Sequence, residues 1–217
     1  MSQAIEAPPK FQTVAELLHQ LGDISPERIR LHPTPGKATE RDLLKPGSKL
    51  CELIDGTLVE KTMGAVESML NFEFGLFLGP FVKRHRLGVV LGTDGMVRLM
   101  PGQVRLPDIS FISWDRLPGG KPPTTPILDL APDLAVEVLS KSNTKAEMKR
   151  KLREYFEAGV RLVWLIDPKT RTVVVHTSPG ASTKLGEGEI LDGGDVLPGF
   201  ALPLAELFEC LVRGRDD

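Results

Sequence analysis

Cysteine is nearly absent. Cys51 and Cys210 are the only two in 217 residues. They form neither a paired framework nor a CxxC spacing, which excludes a disulfide scaffold and fits a reducing compartment, so a cytoplasmic protein is expected. Histidine is sparse too: His19, His32, His85 and His176 are scattered without metal-ligand spacing, and no zinc site is expected. No apolar run approaches ~18 residues, which excludes a membrane-spanning helix and leaves no membrane partner. Residues 1–10 are polar, carry Pro8-Pro9 and lack the apolar stretch of a signal peptide. Strong charge of one sign is also missing. The formal net charge is −2 and the isoelectric point is near 6.1, so the overall basicity of a strong nucleic-acid binder is absent. A local basic segment remains in Lys145, Lys149, Arg150, Lys151 and Arg153. Such a run is more often a solvated helix face than a phosphate-contacting one. No internal repeat is found.

What is present is a succession of short apolar runs with clear punctuation. Thr13 and Glu16 stand at capping-box spacing before Val14, Leu17, Leu18 and Leu21, and Gly22 ends that helix. Residues 23–48 are broken by proline and glycine, with a short helix expected at 39–44. Two runs flank Asp55-Gly56, a dipeptide that tolerates positive φ at both positions, and so predict a hairpin over 50–60. Val66, Met69, Leu70, Phe74, Phe77, Leu78 and Phe81 predict a long amphipathic helix, with Glu73 inside its stripe. Strands are expected at 87–91, 96–100 and from Asp108. A Pro/Gly-rich loop spans 113–132, and loops of that length are commonly functional or disordered. A strand containing Glu137 follows. Then come a capped helix (Thr144, Glu147) with Met148, Leu152, Tyr155 and Phe156 on one face, a stop at Gly159, and strands at 160–166 and 172–176. Weak strand signals occur at Leu185 and 196–200, and a short helix closes at 203–210. The order argues a mixed α/β sheet, with a βαβ crossover from Leu134 to Ile166.

Two carboxylates stand out. Asp108 opens the run Asp108-Ile109-Ser110-Phe111-Ile112, and Glu137 lies inside Leu134-Ala135-Val136-Glu137-Val138-Leu139. An ionised carboxylate on a buried strand is costly unless a cation or metal pairs with it. Magnesium is held by one or two carboxylates and assists phosphodiester hydrolysis by activating water and neutralising phosphate. The two residues meet only if their strands are neighbours. The carbonyl of Val138 offers a further ligand, and a lysine near the water would orient or activate it.

Several stretches carry a resemblance. They are Glu52-Leu53-Ile54-Asp55-Gly56, Pro107-Asp108-Ile109-Ser110-Phe111, Val136-Glu137-Val138-Leu139-Ser140, the run from Lys151 to Val160, Val163 to Pro168, and Leu197-Pro198-Gly199-Phe200. In this order the chain resembles the Uma-two family of restriction-endonuclease-like proteins, in the PD-(D/E)XK nuclease superfamily, over roughly residues 50–208. The resemblance implies an α/β fold with a restriction-endonuclease-like mixed sheet flanked by helices, here with an N-terminal helical extension. The nuclease-like domain is expected over 49–210, and the residues outside it read as a disordered tail over 1–12, the helical extension over 13–48 and a polar tail over 211–217. The resemblance also implies an endonuclease dependent on Mg²⁺, with Mn²⁺ as substitute, acting on DNA. It assigns Asp108 and Glu137 to the metal and makes Glu52 a third acid. Glu73 competes for that third place, because the superfamily often supplies it from the first core helix. The position two after Glu137 is Leu139, not the superfamily's lysine. A helix lysine is expected to replace it, and Lys151 matches the family's helix motif. Lys149 on the other edge of the stripe and Lys141 just past the strand are alternatives. Nucleases of this fold often pair to cut both strands, so a homodimer is an expected partner.

Two rival readings accompany this one. A catalytically silent member would use the fold to bind nucleic acid or protein, and the acidic isoelectric point and the missing strand lysine favour it. A carboxylate-pair sugar hydrolase would place two carboxyls in an open cleft without metal. Ser140 has no base at nucleophile spacing, which disfavours a serine hydrolase.

Overall fold

The computed structural model describes residues 11–47 and 49–212. The tails expected at 1–12 and 211–217 lie outside these residues, apart from Phe11, Gln12, Leu211 and Val212. Helix α1 (Val14–Gln20) and the short α2 (Glu40–Leu43) form the N-terminal extension. The Asp55-Gly56 hairpin joins β1 (Cys51–Ile54) to β2 (Thr57–Glu60), and both turn residues take positive φ. The long α3 (Ala65–His85) precedes β3 (Gly88–Leu91), β4 (Met96–Met100), β5 (Gln103–Arg105) and β6 (Ile109–Ser113). A two-residue β7 (Ile127–Leu128), β8 (Leu134–Val138), α4 (Lys145–Glu157) and β9 (Leu162–Asp167) follow. The chain closes with β10 (Thr172–His176), β11 (Ser182–Gly186), β12 (Ile190–Asp192), β13 (Ala201–Pro203) and α5 (Leu204–Phe208).

The strands form two main sheets rather than one. The first has the order β2-β1-β5-β4-β7 and the second β11-β10-β9-β8-β6-β3, with β12 and β13 as a separate pair. Strand β8 runs parallel to β9 and antiparallel to β6, and the β8–α4–β9 segment is the expected crossover. The long loop is not structureless: it contains β7, paired parallel to β4. No strand forms at 196–200. Leu197 and Phe200 instead bury their side chains in the main core, and the nearby strand pair is β12–β13.

Strand alternation decides what each face of the second sheet meets. Leu134, Val136 and Val138 of β8 share a core with Leu70, Phe74, Leu78 and Val82 of α3 and with α5. Phe74 meets Trp164 edge-on at 5.7 Å. Ala135 faces the other way, against Met148, Leu152 and Tyr155 of α4. Glu137, two residues on, shares that face. The sheet is therefore sandwiched between helices, and α4 lies over Glu137.

The N-terminal extension holds α4 in place. Arg28 makes a buried ion pair with Glu147 at 2.8 Å, and Thr144 donates its hydroxyl to the carbonyl of Gly22. Gly22 sits at φ +87°, where a Cβ would come within 2.5 Å of the Glu147 backbone. Glycine is required there on both counts.

Candidate active site at the junction of the two sheets

Residues 105–108 carry the chain from β5 in the first sheet to β6 in the second, and the candidate site is built around this passage. Pro107 has no N–H to give a ladder. The polar groups left over beside it are taken up by side chains. Val138 donates its N–H to Oδ2 of Asp108 at 2.7 Å. The carbonyl of Leu106 accepts from the Lys61 ammonium at 2.5 Å, and the N–H of Leu106 donates to Glu52 Oε1 at 3.2 Å. The register pairs Ile109 with Val136, so Asp108 and Glu137 are the next cross-strand couple, and Asp108 N–H donates to the Val136 carbonyl. Residues so placed have Cβ atoms ~4.5–5.5 Å apart on one face.

Each carboxylate of this couple has its own ammonium. Lys61 Nζ lies 2.9 Å from Asp108 Oδ1, and Lys151 Nζ lies 2.9 Å from Glu137 Oε2. Lys151 also reaches Glu52 Oε1 at 3.2 Å, bridging the two sheets. The Tyr155 hydroxyl donates to Glu137 Oε1 at 2.5 Å. Behind Glu52, Arg105 donates to it at 2.7 Å and to Glu154, which Arg150 binds in turn. Asp108, Glu137, Glu52 and Lys151 are all at most 5% exposed. Burial drives the Glu137 carboxyl upward; Lys151 opposes this and the adjacent Asp108 adds to it, so Glu137 stands above the usual carboxylate range. Burial also works against charge on Glu52, but Lys151, Arg105 and Lys61 outweigh it and hold Glu52 well below that range. For Lys151, burial is overcome by Glu137 and Glu52, and its ammonium is held more firmly than in water.

The structure thus brings together four residues singled out in the sequence: Glu52, Asp108, Glu137 and Lys151. It leaves three others apart. Glu73 lies on α3 with its charge felt at Cys210, and it has no hydrogen bond or ion pair among the described residues. Lys149 and Lys141 line an open cleft instead. Sequence reasoning missed Lys61, Arg105 and the hydroxyl of Tyr155. Tyr155 was expected in the core, and it is fully buried there. Arg105 carried a usable signal, being a charge three residues before Asp108 in a run that is otherwise buried. Lys61, at the end of a hairpin strand, carried none.

The cleft has a volume of about 1190 Å³ and lies between residues 62–67, the segment 139–149 and residues 165–169. Lys141, Lys145, Lys149 and Lys169 line it against Glu67 and Asp167, an excess of positive charge on a chain that is acidic overall. Its walls are tied by the Thr62 and Ser142 hydroxyls at 2.6 Å. Thr62 follows Lys61, and Leu139 is two residues past Glu137, yet none of the clustered charged residues lines the cleft itself. That placement disagrees with a sugar hydrolase, whose two carboxyls must face an open cleft.

The donor set fits a magnesium-type ion. Among the described residues no group of three or more His, Cys, Asp or Glu side chains is arranged to hold a metal, which argues against a closed protein cage. Magnesium needs none, because one or two carboxylates suffice when water and phosphate complete the shell. A carboxylate has ~four acceptor sites. Asp108 and Glu137 each have two contacts, to Lys61 and Val138 and to Lys151 and Tyr155, so both retain capacity.

Comparison with known proteins gives a family and a fold. A family model described as "Uma2: Putative restriction endonuclease" matches residues 40–205. A solved structure titled as a putative nuclease belonging to DUF820 from Anabaena variabilis ATCC 29413 is similar in fold, with a TM-score of 0.69 and 23% identity, covering 78% of this chain and 96% of that one. No curated protein matches. No helix of the described residues is long and apolar enough to cross a membrane.

Proposed function

The chain belongs to the Uma2 family, and from that premise we propose that it is a divalent-metal-dependent endonuclease acting on DNA. The observation that carries this reading is the cross-strand couple of Asp108 and Glu137 with Lys151 bridging Glu137 to Glu52. Asp108 and Glu137 are the residues that would hold Mg²⁺ or Mn²⁺. When bound, that cation supplies charge neutralisation at the phosphate and a more acidic water. Lys151 keeps its proton, so it acts as an electrostatic clamp on the phosphate and not as a general base. Tyr155 fixes the orientation of Glu137, and Arg105 fixes Glu52. The lysine-rich cleft beside the site receives the phosphate backbone, a contact that is electrostatic and weakened by salt.

A second reading has one observation behind it. The clustered carboxylates are already neutralised and line no cleft, which favours a silent member that binds nucleic acid without cutting it. One experiment separates the two. Plasmid nicking with Mg²⁺ or Mn²⁺ is measured for wild type, Asp108→Asn and Glu137→Gln, with Mn²⁺ calorimetry on the same samples. The nuclease reading expects metal binding and nicking in wild type and loss of both in each variant. DNA binding without nicking in wild type supports the silent reading. Absence of metal binding with and without DNA overturns the metal site.

A further inference from the structure

Helix α3 is apolar on two opposite sides. Its inner side, Leu70, Phe74, Leu78 and Val82, is buried in the core. Its outer side repeats the helical spacing with Met69, Phe72 and Leu76, which are 40%, 70% and 52% exposed. Of the nine large hydrophobic residues exposed among the described residues, four lie on this helix, Val66 being the fourth. A helix apolar all round is normally covered on both sides. Among the described residues nothing covers the outer one.

We propose that this face is a self-association surface and that its occupant is α3 of a second copy, antiparallel across a two-fold axis. Charge is the first argument. Glu73 lies midway along the helix, while Lys83 and Arg84 stand exposed at its C-terminal end. None of the three has an ion pair among the described residues. Antiparallel pairing carries Glu73 of each copy toward Lys83 and Arg84 of the other, and it also sets the two helix dipoles head to tail. Shape is the second argument. Phe72 projects seven residues, about two turns, before Gly79, so both lie on one side of the helix. Gly79 borders a hollow of about 410 Å³ that also includes Lys83, Arg86 and Trp114. A Cβ built on Gly79 meets nothing within 4 Å. A two-fold axis near residue 78, midway between Glu73 and Lys83, sets Phe72 of each copy opposite the Lys83 and Arg86 end of the other's hollow. The contact is isologous and closes on itself, so it makes dimers and not fibres.

The test is independent of any activity. Light scattering after gel filtration of the full chain, at micromolar to tens of micromolar concentration, is expected to give twice the 23.8 kDa chain mass. Phe72→Glu is expected to return the monomer mass with an unchanged circular dichroism spectrum, because the side chain touches solvent and not the core. Glu73→Lys alone and Arg84→Glu alone are each expected to weaken self-association at least tenfold. An equimolar mixture of the two is expected to form heterodimers, recoverable through a tag on one of them. A wild-type monomer at every concentration overturns the proposal. So does a Phe72→Glu variant that keeps the dimer mass, or a mixture that associates no better than its components.

Discussion

Lys151 is the strongest single test of how the buried cluster is held together. Its ammonium bridges Glu137 and Glu52 at 2.9 and 3.2 Å, and the residue is 5% exposed. Lys151→Met keeps the length and apolar stem of the side chain but removes the charge. Glu137 is then left with a tyrosine hydroxyl and an adjacent carboxylate. Breaking a buried pair by removing one partner costs about 3–5 kcal/mol. In a chain of this size that corresponds to a fall in melting temperature of about 6–20 °C. The sign of the pH dependence follows from Glu137. Its carboxyl already stands above the ordinary value of 4.5, chiefly through burial, and loss of Lys151 drives it higher. A group with a raised folded-state pKa opposes folding above that pKa, and the penalty disappears as pH falls toward the unfolded value. The variant is therefore expected to recover part of its lost stability as pH falls from neutrality toward the ordinary value of 4.5. Urea unfolding across that range, wild type beside variant, measures it. A deficit below ~1 kcal/mol, the size of an exposed ion pair, or a deficit that does not change with pH, would refute the claim that Lys151 neutralises the couple.

Tyr155→Phe removes the donor to Glu137 Oε1 and leaves the ring in place; the expected cost is about 1.5–3 kcal/mol in urea unfolding, as for a hydrogen bond to a charged group. Glu52 has a depressed carboxyl, set by burial overcome by Lys151 and Arg105, so its stabilisation is present above pH 4.5 and lost on acidification below it. Glu52→Gln is expected to be less stable than wild type at neutral pH and to show a shallower loss in acid, read from thermal melts at several pH values. Lys61→Met frees Asp108 Oδ1 from its ammonium, and calorimetry is expected to show Mn²⁺ binding tighter by on the order of tenfold, equivalent to ~1.4 kcal/mol of competing contact. Unchanged or weaker Mn²⁺ binding in that variant would mean that Lys61 does not compete for Asp108.

Much of this site was legible because strands constrain their residues so tightly. Pro107-Asp108 and Glu137 were visible as charges in apolar runs. Period-two alternation puts Glu137 on the face of Ala135, and pairing of the two runs makes the carboxylates neighbours. The helix over 145–157 was legible from its capping box and stripe, but the stripe's edges offered Lys149 and Lys151 equally, and only the resemblance to the family's helix motif favoured Lys151. Contacts between separate elements were not. Lys61 reaches Asp108 because the first sheet delivers the end of β2 beside the passage from β5 to β6, and sequence spacing holds no trace of that arrangement. Helix α3 was misread in one respect. Val66 and Met69 were assigned to a single buried stripe, whereas the helix is apolar on two sides and these residues are exposed. Hydrophobic periodicity identifies a face only when the other side is polar.

The charge balance of the cluster bears on why two carboxylates would be enough. Asp108 pairs with Lys61, Glu137 and Glu52 share Lys151, and Arg105 joins Glu52 to Glu154. Each buried carboxylate therefore has a cation in contact, which is how so many ionised groups are tolerated in a buried region. Under the proposed function a divalent cation would add positive charge to a region whose carboxylates the protein's own cations already offset. A phosphodiester arriving beside it would balance that added charge, so metal and substrate would each favour the binding of the other.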